Sequence, residues 1–398
     1  ACTIPGKCNK PNWVIDPKGN ETDFTYTAVG LPESITLPAG ADGIRPQTRY
    51  SYISKQAYYR NAAGIIAASG QPILLLGSMS QCATMAGMTV TPANVAGGTG
   101  ARTLSGTALC VGTADETRVT YEYGIDGAPN NLLLTLETRQ SGDGQLLAST
   151  AYSYDKFGNR ISVDGPLPGP ADTAVARYDA LRRPIGAVGP NPSTATASLP
   201  NLASRITYDT EGRIISEEAG TVASQSDADW ANFTPATVRS LSYDGFNNLI
   251  EDRRSAGGGV FAVAQFAYDS RNRPVCSAER MNLGAIPLAT TSACLPGQAG
   301  SQGGDRITRT IYDSDNSVLQ VRKAVTSPFE QAYATYAYSP NGKVTALVDA
   351  NGNRATYAYD AFDRPDLWTF PAQARPPAFD FANPASALAT AGAFDCFG

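Results

Sequence analysis

The sequence predicts an all-β protein made of consecutive β-hairpins, and three observations lead to this prediction. A Tyr-Asp pair recurs along the chain, a turn-forming residue follows most of the aspartates at a fixed offset, and the flanking residues alternate between apolar and polar. The 398 residues include 38 glycines and 27 prolines, which agrees with a chain rich in turns. Helical periodicity is nearly absent, and the one short helix predicted lies between Ser226, a candidate N-cap, and Phe233.

The Tyr-Asp pair defines the repeat. Successive pairs lie 21 to 44 residues apart, an irregular spacing that insertions into the loops of a short unit would produce. The pairs are Tyr154-Asp155, Tyr178-Asp179, Tyr208-Asp209, Tyr243-Asp244, Tyr268-Asp269, Tyr312-Asp313 and Tyr359-Asp360, with Tyr338-Ser339 as a variant.

The residues after each aspartate predict a type I turn. An aspartate at position i accepts a backbone N–H two residues on, and glycine or asparagine at i+3 tolerates the left-handed conformation that follows. The glycine form occurs at Asp16 with Gly19, Asp155 with Gly158, Asp209 with Gly212, Ser339 with Gly342, and Asp349 with Gly352. The asparagine form occurs at Asp244 with Asn247, Asp269 with Asn272, and Asp313 with Asn316. Asp179 with Arg182 and Asp360 with Asp363 depart from the pattern.

Alternating segments on both sides of these turns predict hairpins. A lone hairpin is marginal in water, so successive hairpins should pair side by side into one long sheet. We predict three regions: degenerate repeats in 1–120 with a Gly/Ala/Thr-rich insertion at about 54–118, a repeat β-sheet in 121–371, and a Pro/Ala-rich segment in 372–398. Because the chain begins at Ala1 without a methionine, we expect a processed or partial piece of a longer protein.

The cysteines predict local disulfides. None of the seven lies in a C-x-x-C motif, and six fall into near pairs: Cys2 with Cys8, Cys82 with Cys110, and Cys276 with Cys294. The two larger pairs bracket Gly/Ala/Ser/Thr-rich insertions, where a bridge would contribute about 3 kcal/mol. Ordinary buried thiols are the alternative. The pairs favour an oxidising compartment, and Cys396 has no predicted partner.

Composition excludes several classes of function. With no histidine, the chain cannot hold a Ser-His-Asp triad, a His-ligated zinc or a His-ligated haem. Its net charge is −5 and its lysines and arginines are scattered, so we expect no nucleic-acid partner. The longest apolar run, from Ile65 to Leu76, is broken by Gly70 and Pro72 and is too short to span a bilayer.

We predict no catalytic residue, no metal and no cofactor. The repeated aspartates could in principle act as paired carboxylates in glycoside hydrolysis, but their turn position already explains them. The segment from Asp313 to Ser317 begins like a calcium loop, yet it lacks the glycine and the bidentate glutamate that such a loop needs. Strand tyrosines could form a sugar-stacking surface or simply pack across strands; they are Tyr121, Tyr123, Tyr333, Tyr336, Tyr338, Tyr357 and Tyr359.

The Y-D-x-x-G-[NR] units resemble the YD repeats of Rhs proteins, which also occur in Tc toxin shell subunits and teneurins. The resemblance extends over roughly 11–371 and is strongest from 150 to 371. It implies a long β-sheet wound spirally into a hollow shell, or cocoon, that in bacterial members encloses a toxic C-terminal domain and is exported or displayed on the cell surface. The family's self-cleaving motif, a D-P-x-G-rich segment near the end of the shell, has no match in this sequence. Asp16-Pro17-Lys18-Gly19 is superficially similar, but it stands at the start of the chain and fits an ordinary repeat turn.

From these observations we expect a structural, non-enzymatic protein, secreted or exposed on a bacterial surface. Its first expected role is a container, whose partner is a C-terminal toxin or other cargo polypeptide. The alternative is an extracellular filament of copies of the same chain, or an adhesin that binds cell-surface carbohydrate. Open sheet edges without capping units would favour self-association.

Overall fold

Antiparallel strands dominate the computed structural model of this chain. It describes residues 5–8, 10–40, 43–82, 89–90, 104–105, 110–191, 199–285, 292–370 and 393–394. Within these residues the helical elements are one short α-helix, α1 (Asp227–Ala231), and three 3-10 turns at Pro5–Lys7, Gly169–Ala171 and Leu283–Ala285. The structure confirms the predicted all-β class. It also confirms the predicted helix, because Ser226 caps α1 by accepting a hydrogen bond from the Asp229 N–H at 3.1 Å.

The strands follow one another along the chain as short, mostly hairpin-connected segments. From the N-terminus to the end of the predicted insertion they are β1 (Trp13–Ile15), β2 (Glu21–Tyr26), β3 (Pro32–Thr36), β4 (Gln47–Arg60), β5 (Ile66–Cys82), β6 (Thr89–Val90), β7 (Leu104–Ser105) and β8 (Glu116–Tyr123). The next are β9 (Leu134–Ser141), β10 (Leu147–Tyr154), β11 (Arg160–Asp164), β12 (Ala174–Tyr178), β13 (Pro184–Val188), β14 (Asn201–Tyr208), β15 (Ile214–Val222), β16 (Thr234–Tyr243) and β17 (Leu249–Ala256). The last are β18 (Gly259–Tyr268), β19 (Pro274–Glu279), β20 (Arg306–Tyr312), β21 (Val318–Lys323), β22 (Gln331–Tyr338), β23 (Val344–Asp349), β24 (Arg354–Tyr359), β25 (Pro365–Thr369) and β26 (Ala393–Phe394).

The chain divides into two compact units: unit 1 comprises residues 1–203 and 221–233, and unit 2 comprises residues 204–220 and 234–398. In unit 1 the strands from β1 to β13 pair antiparallel in chain order, except that β5 pairs with β8 and the two-residue strands β6 and β7 pair with each other. In unit 2 every strand from β16 to β26 pairs antiparallel with the next.

The order of the strands places the loops of unit 2 at two opposite ends of its strands. In an antiparallel meander, successive connections lie at opposite strand ends. The turns that follow Tyr243, Tyr268, Tyr312, Tyr338 and Tyr359 therefore lie at the same end. The connections between them lie at the other end, and these include the long loop 280–305 and the turn of Asp349. The Asp349 turn has the repeat sequence but the opposite position.

The hairpin of β4 and β5 is the longest in unit 1. β4 has 14 residues and β5 has 17, whereas the neighbouring β8 has 8. Only the last part of β5, from Ser78 to Cys82, pairs with β8, so the tip of this hairpin extends beyond its neighbour. Residues 54–82, which fall in the predicted insertion, are therefore largely β-strand. Most of the rest of that insertion, and nearly all of the predicted segment 372–398, lie outside the described residues.

Two small apolar clusters lie beneath the insertions. In unit 1, α1 presents Trp230, with Phe233 just after it, to Val188, Ala203 and Val222. In unit 2, the loop 280–305 contributes Ala293, which packs with Cys276, Ala278, Ile307 and Val325. The insertions thus cover one part of the sheet surface in each unit. The apolar surface buried there stabilises the fold by about 25 cal/mol per Å².

Candidate functional site

The turn at Asp269 shows how the repeat motif works. The Asp269 Oδ1 atom accepts hydrogen bonds from the backbone N–H groups of Arg271 (2.9 Å) and Arg273 (3.0 Å). The Asn272 N–H donates to the Asp269 carbonyl at 2.9 Å, which closes the type I turn. Asn272 has φ +65° and is followed by a shift in register, so that Tyr268 lies opposite Pro274. This is a type I turn with a left-handed residue and a bulge.

The same geometry recurs at every predicted turn. The residue at i+3 has a positive φ in each case, between +63° and +86°. The values are Gly19 +85°, Gly158 +85°, Gly212 +86°, Gly342 +80°, Gly352 +83°, Asn247 +69°, Asn272 +65° and Asn316 +70°.

The two turns that depart from the sequence pattern keep the same backbone. Arg182 has φ +65° and Asp363 has φ +63°. Their aspartates, Asp179 and Asp360, accept the same pair of backbone N–H bonds as the others. A left-handed conformation costs about 1–2 kcal/mol for a residue with a Cβ atom. These two turns therefore depart from the pattern in sequence but not in backbone conformation, because the bonds to the carboxylate and the strand pairing impose the turn.

The residue at i+4 completes eight of the ten predicted turns through its side chain. Arg273 Nε donates to Asp269 Oδ2 at 2.8 Å, and Asn248 Nδ2 donates to Asp244 Oδ2 at 2.9 Å. Sequence reasoning included this position in the motif as Asn or Arg but assigned it no role. The same bond is made by Asn20, Asn159, Arg183, Arg213, Asn353 and Arg364.

These hydrogen bonds stabilise the ionised carboxylates. The pKa of Asp244 is lowered from its usual value, chiefly by the side chain of Asn248, and the pKa of Asp269 is lowered chiefly by Arg273. At Asp209 desolvation acts in the opposite direction and is the largest single influence, but the bonds from Arg213 and the backbone together still lower the pKa. A carboxylate held in this way stays ionised near neutral pH and is a weak base, which agrees with a structural role.

In seven of the repeat pairs the tyrosine ties its hairpin to the preceding one. The Tyr268 hydroxyl donates to the carbonyl oxygen of Leu249 at 3.1 Å, and Leu249 is the fifth residue after Asp244 in the hairpin before. We call this series of bonds the tyrosine ladder. It consists of Tyr154 to Leu134, Tyr178 to Arg160, Tyr243 to Ile214, Tyr268 to Leu249, Tyr312 to Pro274, Tyr338 to Val318 and Tyr359 to Val344, with Tyr26 to Pro11, Tyr52 to Pro32 and Tyr123 to Leu76 in the first part of the chain.

Two arginines at i+4 also reach the next turn. Arg273 Nη1 donates to the Asp313 carbonyl at 2.9 Å and to Asn316 Oδ1 at 3.1 Å, and its guanidinium lies 4.6 Å from the centre of the Tyr312 ring. Arg213 makes the same contacts with the turn of Asp244. An arginine at this position thus joins a turn, the following turn and the intervening tyrosine.

Two further turns of this kind escaped the sequence analysis. At Thr27 the hydroxyl accepts the Leu31 N–H at 3.0 Å, and Gly30 has φ +85°. At Asn61 the side-chain oxygen accepts two backbone N–H bonds, and Gly64 has φ +78°. Tyr26 precedes Thr27 as in the other pairs, whereas Arg60 precedes Asn61. A search for the turn pattern alone that allowed threonine or asparagine in place of aspartate would have found both turns.

A disulfide and a buried ion pair hold the loop 280–305. Cys276 and Cys294 form one of the predicted bridges, with Cα atoms 5.3 Å apart. Arg280 Nη1 lies 2.7 Å from Asp305 Oδ2, and the two side chains are only 2% and 3% exposed. The other Asp305 oxygen accepts the Met281 N–H at 2.9 Å. A disulfide bond and an ion pair therefore hold the loop 280–305 in place.

The second predicted bridge, Cys82 to Cys110, spans the first insertion and has Cα atoms 5.8 Å apart. Beside it lies the buried Glu116, which accepts the Gly112 N–H at 2.8 Å. Cys8 is also disulfide-bonded, and its predicted partner Cys2 lies outside the described residues, as does Cys396.

The polar side chains described above hold turns, hairpins and loops in place. Within the ranges that the structure describes, no three His, Cys, Asp or Glu residues are placed to hold a metal ion. Among the same residues no helix is long and apolar enough to cross a membrane. Of the candidate sugar-stacking tyrosines, Tyr123, Tyr338 and Tyr359 use their hydroxyls in the tyrosine ladder.

Comparison with known proteins gives a partial match. The RHS Repeat family model matches residues 338–367, which contain the turns of Ser339, Asp349 and Asp360. No curated protein matches the chain. Among solved structures, the chain is similar to the crystal structure of TcdB2-TccC3 without its hypervariable C-terminal region, at 14% identity and a TM-score of 0.40, covering 90% of this chain and 17% of that one. It is also similar to TcdB2-TccC3-TEV, at 12% identity and a TM-score of 0.32, covering 92% of this chain and 20% of that one.

Proposed function

We propose that this chain, which carries the RHS repeat and resembles Rhs/YD-repeat proteins, is a non-catalytic section of a β-sheet wall that encloses a polypeptide cargo. The tyrosine ladder is the observation that supports this proposal most directly. Neighbouring hairpins are joined twice, by the strand pairing and by a tyrosine hydroxyl such as that of Tyr338, 2.9 Å from the Val318 carbonyl. A wall needs such continuity, because a gap between hairpins would admit water and proteases.

The insertions support the same role. The loop 280–305 is held by Cys276–Cys294 and by the buried pair of Arg280 and Asp305. Such fastening keeps a long loop folded where protease attack is expected. The bridges also favour an oxidising compartment, so we propose that the protein acts outside the cytosol, secreted or on the cell surface.

Electron microscopy combined with proteolysis tests this proposal. The natural polypeptide that contains this chain would be purified, imaged and digested with proteinase K. We expect discrete hollow particles and a protected segment that becomes digestible when the same sample is first unfolded in guanidinium chloride. Filaments of stacked copies, or particles without any protected segment, would overturn the proposal and favour self-assembly as the function.

A further inference from the structure

One strand end of unit 1 presents a row of exposed apolar side chains. From β8 to β13 the strands pair antiparallel in chain order, so the connections β8–β9, β10–β11 and β12–β13 lie at the same strand end. Each connection carries one such residue, which we call the tip row: Ile125 is 82% exposed, Phe157 is 50% exposed and Leu181 is 72% exposed. The repeat turns use only the backbone N–H groups of Phe157 and Leu181, so the turns do not explain these side chains.

The members of the tip row stand apart from one another. Neighbouring strands lie about 4.8 Å apart, so the tips of successive hairpins are about 10 Å apart and the row extends over about 20 Å. A protein partner needs a continuous surface of about 800 Å² on each side. Single side chains can instead enter a lipid interface one by one, to a depth of about 5–10 Å. Separate tips therefore fit a lipid surface better than a protein partner.

Exposed cations stand beside two of these tips. Lys156 precedes Phe157, and its Nζ atom lies 4.9 Å from the centre of that ring. Arg182 follows Leu181 and donates to Asn159 Oδ1 at 3.4 Å. Both cationic residues are exposed. Binding to a lipid interface increases with the apolar area that enters it and with the attraction between cations and anionic lipid, so this combination favours a membrane that contains anionic lipid.

The acidic residues of the same connections do not cancel this charge. Asp126 pairs with Lys55 at 2.8 Å, and Asp179 pairs with Arg183 at 2.7 Å. Asp155, the third carboxylate, is engaged by hydrogen bonds within its own turn. The three connections and their ion-pair partners thus carry four cations and three carboxylates, and the excess is positive.

The opposite strand end of unit 1 supplies an internal comparison. Leu146 is 74% exposed there and Leu167 is 56% exposed. Their connections, 142–146 and 165–173, contain Asp143 and Asp172 but no lysine or arginine. Exposed apolar side chains therefore occur at both strand ends, whereas the tip row combines them with positive charge.

We propose that the tip row of unit 1 binds the surface of a membrane that contains anionic lipid. Ile125, Phe157 and Leu181 enter the boundary between the headgroups and the acyl chains, and Lys156 and Arg182 contact the lipid phosphates. This surface goes beyond the wall function, because the tyrosine ladder uses none of these five side chains.

Vesicle flotation with the purified protein tests the proposal. The vesicles consist of phosphatidylcholine alone, or of phosphatidylcholine and phosphatidylglycerol in equal parts. We expect at least about tenfold tighter binding to the mixed vesicles, because lysine and arginine are attracted to an anionic surface. Added salt should weaken this binding, because it screens the attraction. Equal binding to both kinds of vesicle, or no binding to either, would overturn the proposal.

Apolar variants at the two strand ends form a matched pair. We expect Ile125→Ser with Leu181→Ser to weaken binding to the mixed vesicles by about tenfold or more, because less apolar area enters the interface. Leu146→Ser with Leu167→Ser is the control, and it should keep the affinity of the parent protein. Unchanged melting temperatures would separate binding from folding. Equal losses in the two double variants would overturn the proposal.

Charge and insertion are tested separately. We expect Lys156→Gln with Arg182→Gln to weaken binding to the mixed vesicles by about tenfold or more, and full affinity would overturn the proposal. The added tryptophan of Leu181→Trp should emit at shorter wavelength when vesicles bind, whereas that of Leu146→Trp should not. A shift in Leu146→Trp alone would identify a different surface. Self-association through the tip row without vesicle binding would identify a second copy as the partner, and either result would overturn the proposal.

Discussion

The Tyr268 hydroxyl donates a hydrogen bond to the Leu249 carbonyl across two neighbouring hairpins, at 3.1 Å. Leu249 is opposite Tyr243 in its own hairpin, so the bond joins corresponding positions of successive repeats. The repeated tyrosine is thereby explained by a contact between repeats, whereas the aspartate after it is explained by a contact within one turn.

Removal of this hydroxyl should weaken the joint between the two hairpins. We expect Tyr268→Phe to lower the free energy of unfolding by about 1 kcal/mol, because the ring stays packed while the Leu249 carbonyl loses its partner. Urea unfolding followed by circular dichroism measures the change. Tyr333→Phe is the control, because the Tyr333 ring is half exposed, and it should shift stability by less than about 0.5 kcal/mol. Equal effects of the two substitutions would contradict the role of the ladder.

Arg182 offers a direct test of the turn backbone. Its φ of +65° is unfavourable for a residue with a Cβ atom, so we expect Arg182→Gly to stabilise the protein by about 0.5–1 kcal/mol relative to Arg182→Ala. The alanine variant is the matched control, because both substitutions remove the same side-chain contacts. Thermal unfolding of the pair gives the difference. A glycine variant that is less stable than the alanine variant would show that the left-handed conformation carries no strain.

The ion pair of Arg280 and Asp305 should contribute strongly to stability. Asp305→Ala leaves a buried guanidinium without its carboxylate, and we expect a loss of about 3 kcal/mol. The exposed pair of Glu279 and Arg306 gives the control, and Glu279→Ala should cost less than about 1 kcal/mol. Chemical unfolding measures both. A loss at Asp305 as small as that at Glu279 would mean that the loop 280–305 adds little to the stability of unit 2.

Acid should destabilise the repeat turns. The pKa of Asp16, Asp244, Asp269 and Asp360 is lowered in the folded protein, in each case chiefly by the side chain at i+4. A carboxyl with a lowered folded pKa stabilises the fold above its unfolded pKa of about 3.9, and this contribution is lost as the pH falls through the folded pKa. We therefore expect the melting temperature to fall below about pH 4.

The matched variant for this pH dependence is Asp269→Asn, which keeps an oxygen acceptor for the two backbone N–H groups but cannot titrate. Its melting temperature should fall less than that of the parent protein between neutral pH and pH 3. Parallel melting curves for the two proteins across this range would refute the assignment of the acid sensitivity to the turn carboxylates.

The sequence by itself determined the class of the fold and the position of most turns, because the signals are local. An aspartate and a left-handed residue three positions on, such as Asp209 and Gly212, specify a turn within four residues. The spacing of Cys276 and Cys294 likewise indicated a bridge that the structure contains. The turn at Thr27 was missed only because threonine replaced the expected aspartate.

Only the tertiary structure decided which residues meet across hairpins. The partner of Tyr268 lies 19 residues away and that of Arg273 lies 40 residues away, at distances that the loops between them set. The Asp349 turn lies at the opposite end of the strands from the other repeat turns because of the number of strands before it. The sequence of the turn itself does not contain this information. Such contacts arise from strand order and register, so their physical cause is the pairing of distant segments, and no local pattern encodes it.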